Sequence, residues 1–264
     1  MQQLRYFVID AFASEVFRGN PAGVCPLDDW LPDSLLQAIA TENNLSETAF
    51  FVPNPAGYRL RWFTPTQEVS LCGHATLAAA FTIFTRLRPD LTEICFESVS
   101  GPLFVRRQPR ELLELDFPAF AAVPEASPPT ELLEGLGVKP LCVLRCEPNY
   151  YVIVENEEMV RATKPNFHLL SALHPYGVAV SARGRQADFV SRYFAPSYGV
   201  PEDPVTGSMH CALAPYWADV LGKSTLRASQ ASARGGELLC NVVGNRVRLA
   251  GRAAGYLEGT ITVG

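Results

Sequence analysis

The sequence holds no run of Lys or Arg, no uncharged apolar stretch of about 20 residues, and no paired cysteine pattern. The first absence, with a net charge of −5, excludes a nucleic-acid surface. The second argues against a membrane-spanning helix. Seven cysteines are an odd number, and they are scattered: Cys25, Cys72, Cys95, Cys142, Cys146, Cys211 and Cys240. Scattered thiols fit buried, reduced residues of a cytoplasmic protein better than a disulfide framework. Cys142 and Cys146 stand too far apart for a CxxC redox pair. Four histidines are present, none with zinc-ligand spacing, so no metal is expected. Neither a P-loop nor a GxSxG elbow occurs, and "GNPAG" (Gly19 to Gly23) lacks the GxGxxG spacing. A reaction without a cofactor is the simplest expectation.

What is present is a chain of 264 residues, long enough for one large domain or two smaller ones. Its start, "MQQLRYFVIDAF", reads as a first strand and not as a signal peptide.

The main organisational feature is a duplication. "RWFTPTQEVSLCGHATLAAAFTIF" in the first half parallels "RYFAPSYGVPEDPVTGSMHCALAPYWADVL" in the second. Arg61 to Pro65 matches Arg192 to Pro196. After loops of different length, Gly73-His74 matches Gly207-Ser208, and an apolar helical run follows each. "SGPLFVRRQPRELLELDF" and "GGELLCNVVGNRVRLAGR" then read as equivalent hairpins. Short aromatic-rich segments ("YFVIDAF", "ETAFFV", "RLRWF", "NYYVIVEN", "YGVAVSA", "DFVSRYF") read as strands. "LPDSLLQAIATENN" reads as a helix with Pro32 and Asp33 in its first turn. "HATLAAAFTIFTRL" reads as a helix apolar nearly all round, hence buried. Pro215 predicts a kink or a late start in the second apolar helix. "PAFAAVPEASPPT" marks a boundary, giving domains 1–118 and 119–264, the last residues expected to pack back on the first domain. Two α+β halves related by a pseudo-twofold axis would leave a ligand cleft between them.

The two Gly loops carry the first chemical signal. A helix N-terminus has unpaired N–H groups and partial positive charge, which Asp or Glu commonly fills. Here no acid appears from Glu68 to Asp90, nor from Asp203 to Asp219. Gly73 and Gly207 also permit close approach to the backbone. Two such starts suit a small carboxylate; the plainer reading is that apolar helices simply begin after glycines.

Three ionisable residues stand out. Glu47, in "NLSETAFFV", places a carboxylate at the start of an apolar strand, a setting for a general base or acid; it could equally be a solvated strand end or cap a turn with Ser46. Asp203, in "EDPVTGS", precedes the second Gly loop, where an Asx turn is the plainer reading. His74 sits on the first loop as a polar hand or as a packed ring, and the helix dipole is expected to lower its pKa and keep it neutral. Cys72 at the same helix start would be an activated thiol. Its duplicate is Thr206, so no symmetric thiol pair exists, and Cys72 reads as a relic or packing residue.

Together "FRGNPAGV", "NLSETAFFV", "RWFTPTQEVSLCGHATLA", "SRYFAPSYGVPEDPVTGS" and "RGGEL" resemble the motifs of the PhzF phenazine-biosynthesis family, in the family's order from Phe17 to Glu237. The resemblance implies a diaminopimelate-epimerase-like fold, two similar domains each with a β-barrel-like sheet around a central helix. It implies a cofactor-free isomerase in which Glu47 moves a proton on a small carboxylate, with His74 and Asp203 as hydrogen-bonding and acid/base partners. Gly73, Gly207 and Ser208 would bind the substrate carboxylate, with Asn20 and Ser46 also counted among the substrate-site residues. A homodimer is a family expectation. An epimerase or racemase, or a silent carboxylate-binding protein on the same scaffold, are the alternatives.

Overall fold

The computed structural model describes residues 1–264, which divide into two compact units: Met1–Asp116 with Ala250–Gly264, and Phe117–Leu249.

In the first unit the strands are β1 (Gln2–Ala11), β2 (Asn20–Pro26), β3 (Glu47–Asn54), β4 (Gly57–Phe63), β5 (Glu68–Val69), β6 (Glu93–Ser98), β7 (Gly101–Gln108) and β8 (Leu112–Pro118), the last of which runs two residues past the boundary at Asp116. Helix α1 (Asp33–Asn43) lies between β2 and β3, and α2 (Gly73–Thr82) between β5 and β6. A single π-helical turn, Ile83–Leu87, prolongs α2. β2 runs parallel to β3, β3 antiparallel to β4, β4 parallel to β6, and β6 antiparallel to β7. The C-terminal strand Ala253–Val263 lies antiparallel against β1. Helix α2 is buried on almost every side and packs against β1, β2 and β3. Its alanines (Ala75, Ala78, Ala79 and Ala80) let the strands approach closely. Leu36, Ile39 and Ala40 of α1 pack instead with Phe50, Val52 and Phe63, the stripe expected of a half-exposed helix.

The second unit repeats the plan. Its strands are β9 (Val123–Pro124), β10 (Cys142–Cys146), β11 (Asn149–Ile153), β12 (Gly177–Arg183), β13 (Phe189–Ala195), β14 (Val200–Asp203), β15 (Thr225–Gln230), β16 (Gly236–Val243) and β17 (Arg246–Gly251). Its helices are α3 (Thr130–Leu136), α4 (Glu157–Ala162), α5 (Phe167–Ser171) and α6 (Gly207–Leu221). β11 is parallel to β12, β12 antiparallel to β13, β13 parallel to β15, and β15 antiparallel to β16. That order of pairings is the one found from β2 to β7, so the repeat read from sequence is a repeat of structure. Leu132, Leu136, Val160 and Leu170 from α3, α4 and α5 share a core with Val152, Val178 and Phe194, in the role α1 fills in the first unit.

Helix α6 is the buried counterpart of α2. It begins at Gly207 and runs without a break through Pro215, so the late start expected there does not occur. A proline at 215 cannot donate to the carbonyl of Cys211. That carbonyl accepts instead from the backbone N–H of Phe120, at 3.0 Å. The lost helical bond is thereby replaced, as a buried carbonyl requires.

No helix is long and apolar enough to cross a membrane.

Candidate active site

Each unit fixes the approach to its buried helix in the same way. Arg61 on β4 donates from Nε and Nη2 to the two carboxylate oxygens of Glu68, at 2.7 Å each, with its guanidinium over the Phe63 ring. Arg192 on β13 does the same to Glu202, at 2.7 and 2.9 Å, over Phe194. Glu68 stands five residues before Gly73 and Glu202 five before Gly207, so "EVSLCGH" and "EDPVTGS" align without a gap. The length difference between the loops falls before these glutamates. A two-bond fork of this kind fixes orientation as well as distance, and it anchors both helix starts.

In the first unit that anchored loop presents Cys72, Gly73 and His74. Cys72 is the N-cap of α2 with no side-chain capping bond, and no acid lies in the first turn. Glu47 is the first residue of β3, opposite Ala22 of β2. Its Oε2 lies 3.2 Å from Nε2 of the buried His74, an ion-pair approach that lacks hydrogen-bond alignment. On the other side of the ring, His74 Nδ1 lies 3.2 Å from Asn20 Nδ2 and 3.5 Å from Cys72 Sγ. The structure therefore brings Glu47, His74, Asn20, Gly73 and Cys72 together. Ser46 lies half-buried in the bend just before β3.

In the second unit Asp203 ends β14. Thr206, the N-cap of α6, donates its hydroxyl to Asp203 Oδ2. The first turn of α6 again holds no acid; Gly207 is buried and Ser208 exposed. The two units are not chemically equivalent. By strand register Glu47 corresponds to Gly177, because Thr48 faces Phe63 and Val178 faces Phe194. A Cβ at Gly177 would collide with the Tyr193 hydroxyl, which Asn149 Oδ1 holds at 2.6 Å. Asp203 corresponds to Val69, and Ser208 to His74. The second unit has kept the anchored helix start and has no carboxylate in the place of Glu47.

The electrostatics correct one sequence expectation. His74 was expected to be neutral through the helix dipole; its pKa lies well above the ordinary 6.5. Burial opposes the imidazolium; the Cys72 sulfur, then the Glu47 carboxylate, favour it and outweigh burial. The Cys72 thiol is itself pushed up to about 11, by burial first and then by Glu47. Cys72 is thus an uncharged thiol in the neutral range, and Glu47 is the partner that sustains the imidazolium there. A protonated ring donates from both nitrogens. Its contact with Asn20 then needs the amide oxygen turned toward Nδ1, whereas a neutral ring would accept from the amide nitrogen. Glu47, Cys72 and His74 offer donor atoms within 4.8 Å of one another. Sγ lies 3.5 Å from Nδ1 and the carboxylate Oε2 3.2 Å from Nε2, so the three side chains form one close group that offers ligands for a metal ion as well as groups that exchange protons. The arrangement suits proton transfer.

Sequence reading missed His210. It lies three residues into α6, fully buried, with Nδ1 2.7 Å from the Thr206 carbonyl. That contact puts the proton on Nδ1, and burial pushes the pKa down to about 4. Its counterpart, Thr76, donates Oγ1 to the Cys72 carbonyl at 2.6 Å. Both N-cap carbonyls thus receive a side-chain donor from four residues on. The i, i+4 spacing was visible in sequence, but Thr and His give no common residue signal.

A duplicated α+β fold with buried helices, in which one half carries a carboxylate–imidazole pair, defines the class. The family model for phenazine biosynthesis-like proteins matches residues 9–259, and the chain belongs to that family. It is 52% identical to an uncharacterized isomerase of Pseudomonas aeruginosa over 98% of this chain and 99% of that one. It superposes on the crystal structure of a PhzF-family phenazine biosynthesis protein from Enterococcus faecalis with a TM-score of 0.95 and 43% identity, covering 99% and 100% of the two chains. A hydroxyproline epimerase from Agrobacterium vitis shares the fold at a TM-score of 0.63 and 10% identity, over 98% and 92%. The fold is thus of the epimerase-like type.

Proposed function

We propose that this protein is an isomerase that moves a proton on a small carboxylic acid by general acid/base catalysis, with Glu47 as the proton carrier. The observation that carries the reading is the approach of Glu47 Oε2 to the buried His74 Nε2 at 3.2 Å. Glu47 takes a proton from a carbon beside an electron-withdrawing group. The C–H electron pair becomes part of a new double bond, and the old double bond supplies the pair that takes the proton back from Glu47 at a second carbon. The carboxylate is regenerated, and no electrons are gained or lost. The His74 imidazolium offsets negative charge that develops on the substrate and keeps Glu47 oriented.

Gly73, Gly207 and Ser208 are assigned to the substrate carboxylate through the open N–H groups of the helix starts, and Asp203 to hydrogen bonding and proton exchange. Asn20 orients His74, and Ser46 is assigned to the substrate beside Glu47. A relative described as an isomerase supports the class. Racemisation by two thiols finds no second thiol, because Thr206 stands where Cys72 is duplicated.

The test is a panel of small carboxylic acids screened by ligand-induced thermal shift, each ligand then incubated with the protein in D₂O. Deuterium entering a carbon position of a bound acid supports the reading. Tight binding with no exchange over long incubation contradicts it.

A further inference from the structure

The strand-to-strand turn after each buried helix reaches back to the loop in front of that helix. Ser100, in the turn between β6 and β7, donates Oγ to the carbonyl of Ser70 at 2.8 Å. Ser232, between β15 and β16, donates Oγ to the carbonyl of Pro204 at 2.9 Å. Ser70 stands three residues before Gly73, and Pro204 three before Gly207. Ser100 lies two residues past the end of β6, and Ser232 two past the end of β15. The same bond is therefore made twice, at the same place in the repeat. Each serine turn is also tied locally: Ser100 N–H to Ser98 Oγ at 3.2 Å, and Gly235 N–H to Ser232 Oγ at 3.0 Å.

The second unit adds a further clamp at the position of Ser98. Gln230, the last residue of β15, is fully buried. Its Oε1 accepts the Thr206 N–H at 2.8 Å. Its Nε2 donates to the Asp203 carbonyl at 2.8 Å and to Thr206 Oγ1 at 3.1 Å. Both amide protons and the amide oxygen are used. The reversed amide would set N–H against N–H, so the orientation is fixed. Thr206 Oγ1, receiving from Gln230, donates its own O–H to Asp203 Oδ2.

We propose that Gln230 and Ser232, and Ser100 in the first unit, are positioning residues that lock the loops bearing Asp203 to Ser208 and Cys72 to His74. This rests on the reading that those loops receive the substrate. Gln230 acts on Asp203 at two points, directly on its carbonyl and through Thr206 on its carboxylate. The first unit, whose equivalent of Asp203 is Val69, has no carboxylate there to hold and has Ser98 in place of the amide. The clamp is present where there is an acid for it to orient.

The test is residue-resolved amide hydrogen exchange on the full chain, which needs no substrate and so fails or succeeds independently of the role of Glu47. Gln230→Met keeps the shape and removes all three bonds; the Thr206 amide should then exchange roughly five- to tenfold faster. Gln230→Glu, in the protonated form that burial beside Asp203 favours, keeps an acceptor for that N–H and a donor for the Asp203 carbonyl, and should restore the protection of the Thr206 amide. Ser232→Ala should speed exchange around residues 205–207 and at Gly235, which loses its Ser232 acceptor, and Ser100→Ala around residues 70–73, with the β15–β16 ladder unchanged; these milder variants hold the test open if Gln230→Met does not fold. Unchanged Thr206 exchange in Gln230→Met, equal exchange in the Met and Glu variants, or acceleration spread evenly through the unit would overturn the proposal.

Discussion

His74 Nε2 and Glu47 Oε2 lie 3.2 Å apart across the first turn of a buried helix. The two residues come from different elements, the start of β3 and the start of α2, and the ring is held from behind by Asn20 and Cys72. The pair ties the protonation of the histidine to the carboxylate.

The first consequence concerns that titration. His74 has a raised pKa in the folded chain. Its stabilising contribution is therefore complete below the unfolded value of about 6.5 and is lost as pH rises through the folded value. Glu47→Gln removes the charge that sustains the imidazolium. Nitrogen-15 NMR of the His74 ring should show a protonated ring at neutral pH in the native chain and a lower midpoint in Glu47→Gln. An unchanged midpoint would show that Glu47 does not set the charge of His74.

His210 has the opposite sign. Burial holds its pKa near 4, so its neutral form stabilises the fold above about 6.5, and that contribution fades as pH falls from about 6.5 through 4. A depression of that size corresponds to roughly 3 kcal/mol. His210→Gln should be less stable than the native chain near pH 7, with a shallower loss of stability between pH 6.5 and 4. Urea unfolding across that range measures both effects.

The two Arg–Glu forks should differ in weight. Arg192 also donates to the Thr163 carbonyl at 2.7 Å, and its side chain is 13% exposed against 24% for Arg61. Arg192→Met should cost about 2–4 kcal/mol and Arg61→Met about 1–2 kcal/mol in chemical denaturation. Lysine should rescue neither, because it cannot make the two-bond fork.

Cys72 should be chemically quiet. Its thiol is buried and its pKa is raised to about 11, whereas nucleophilic cysteines are exposed and acidified. Iodoacetamide at pH 7.5 should leave Cys72 unlabelled over a time that labels the urea-denatured chain completely, read by mass spectrometry of the peptide. Rapid native labelling would restore the thiol as a candidate nucleophile.

Much of the fold was legible because its signals are local. Aromatic strands, the all-apolar run after Gly73 and the pattern Arg-x-Phe ahead of Gly could be read twice along one chain. The acid-free helix starts were legible for the same reason. Pro215 misled, since the donor that replaces its missing N–H comes from Phe120, far away in sequence. His74 misled in sign, because the dipole is a local effect and Glu47 lies 27 residues upstream. Gln230 gave no signal, being 24 residues from Thr206 and unremarkable at a strand end. Types of residue were readable where the backbone pattern announced them; their charge states and braces depend on long-range contacts that only the folded chain supplies.

The most direct measurement is deuterium incorporation from D₂O into a carboxylic acid that binds the native protein, compared between the native chain and Glu47→Gln. The account predicts incorporation with the native chain and a loss of at least about a thousandfold with the glutamine variant, its fold and ligand-induced thermal shift retained. Exchange at an undiminished rate in Glu47→Gln would contradict it.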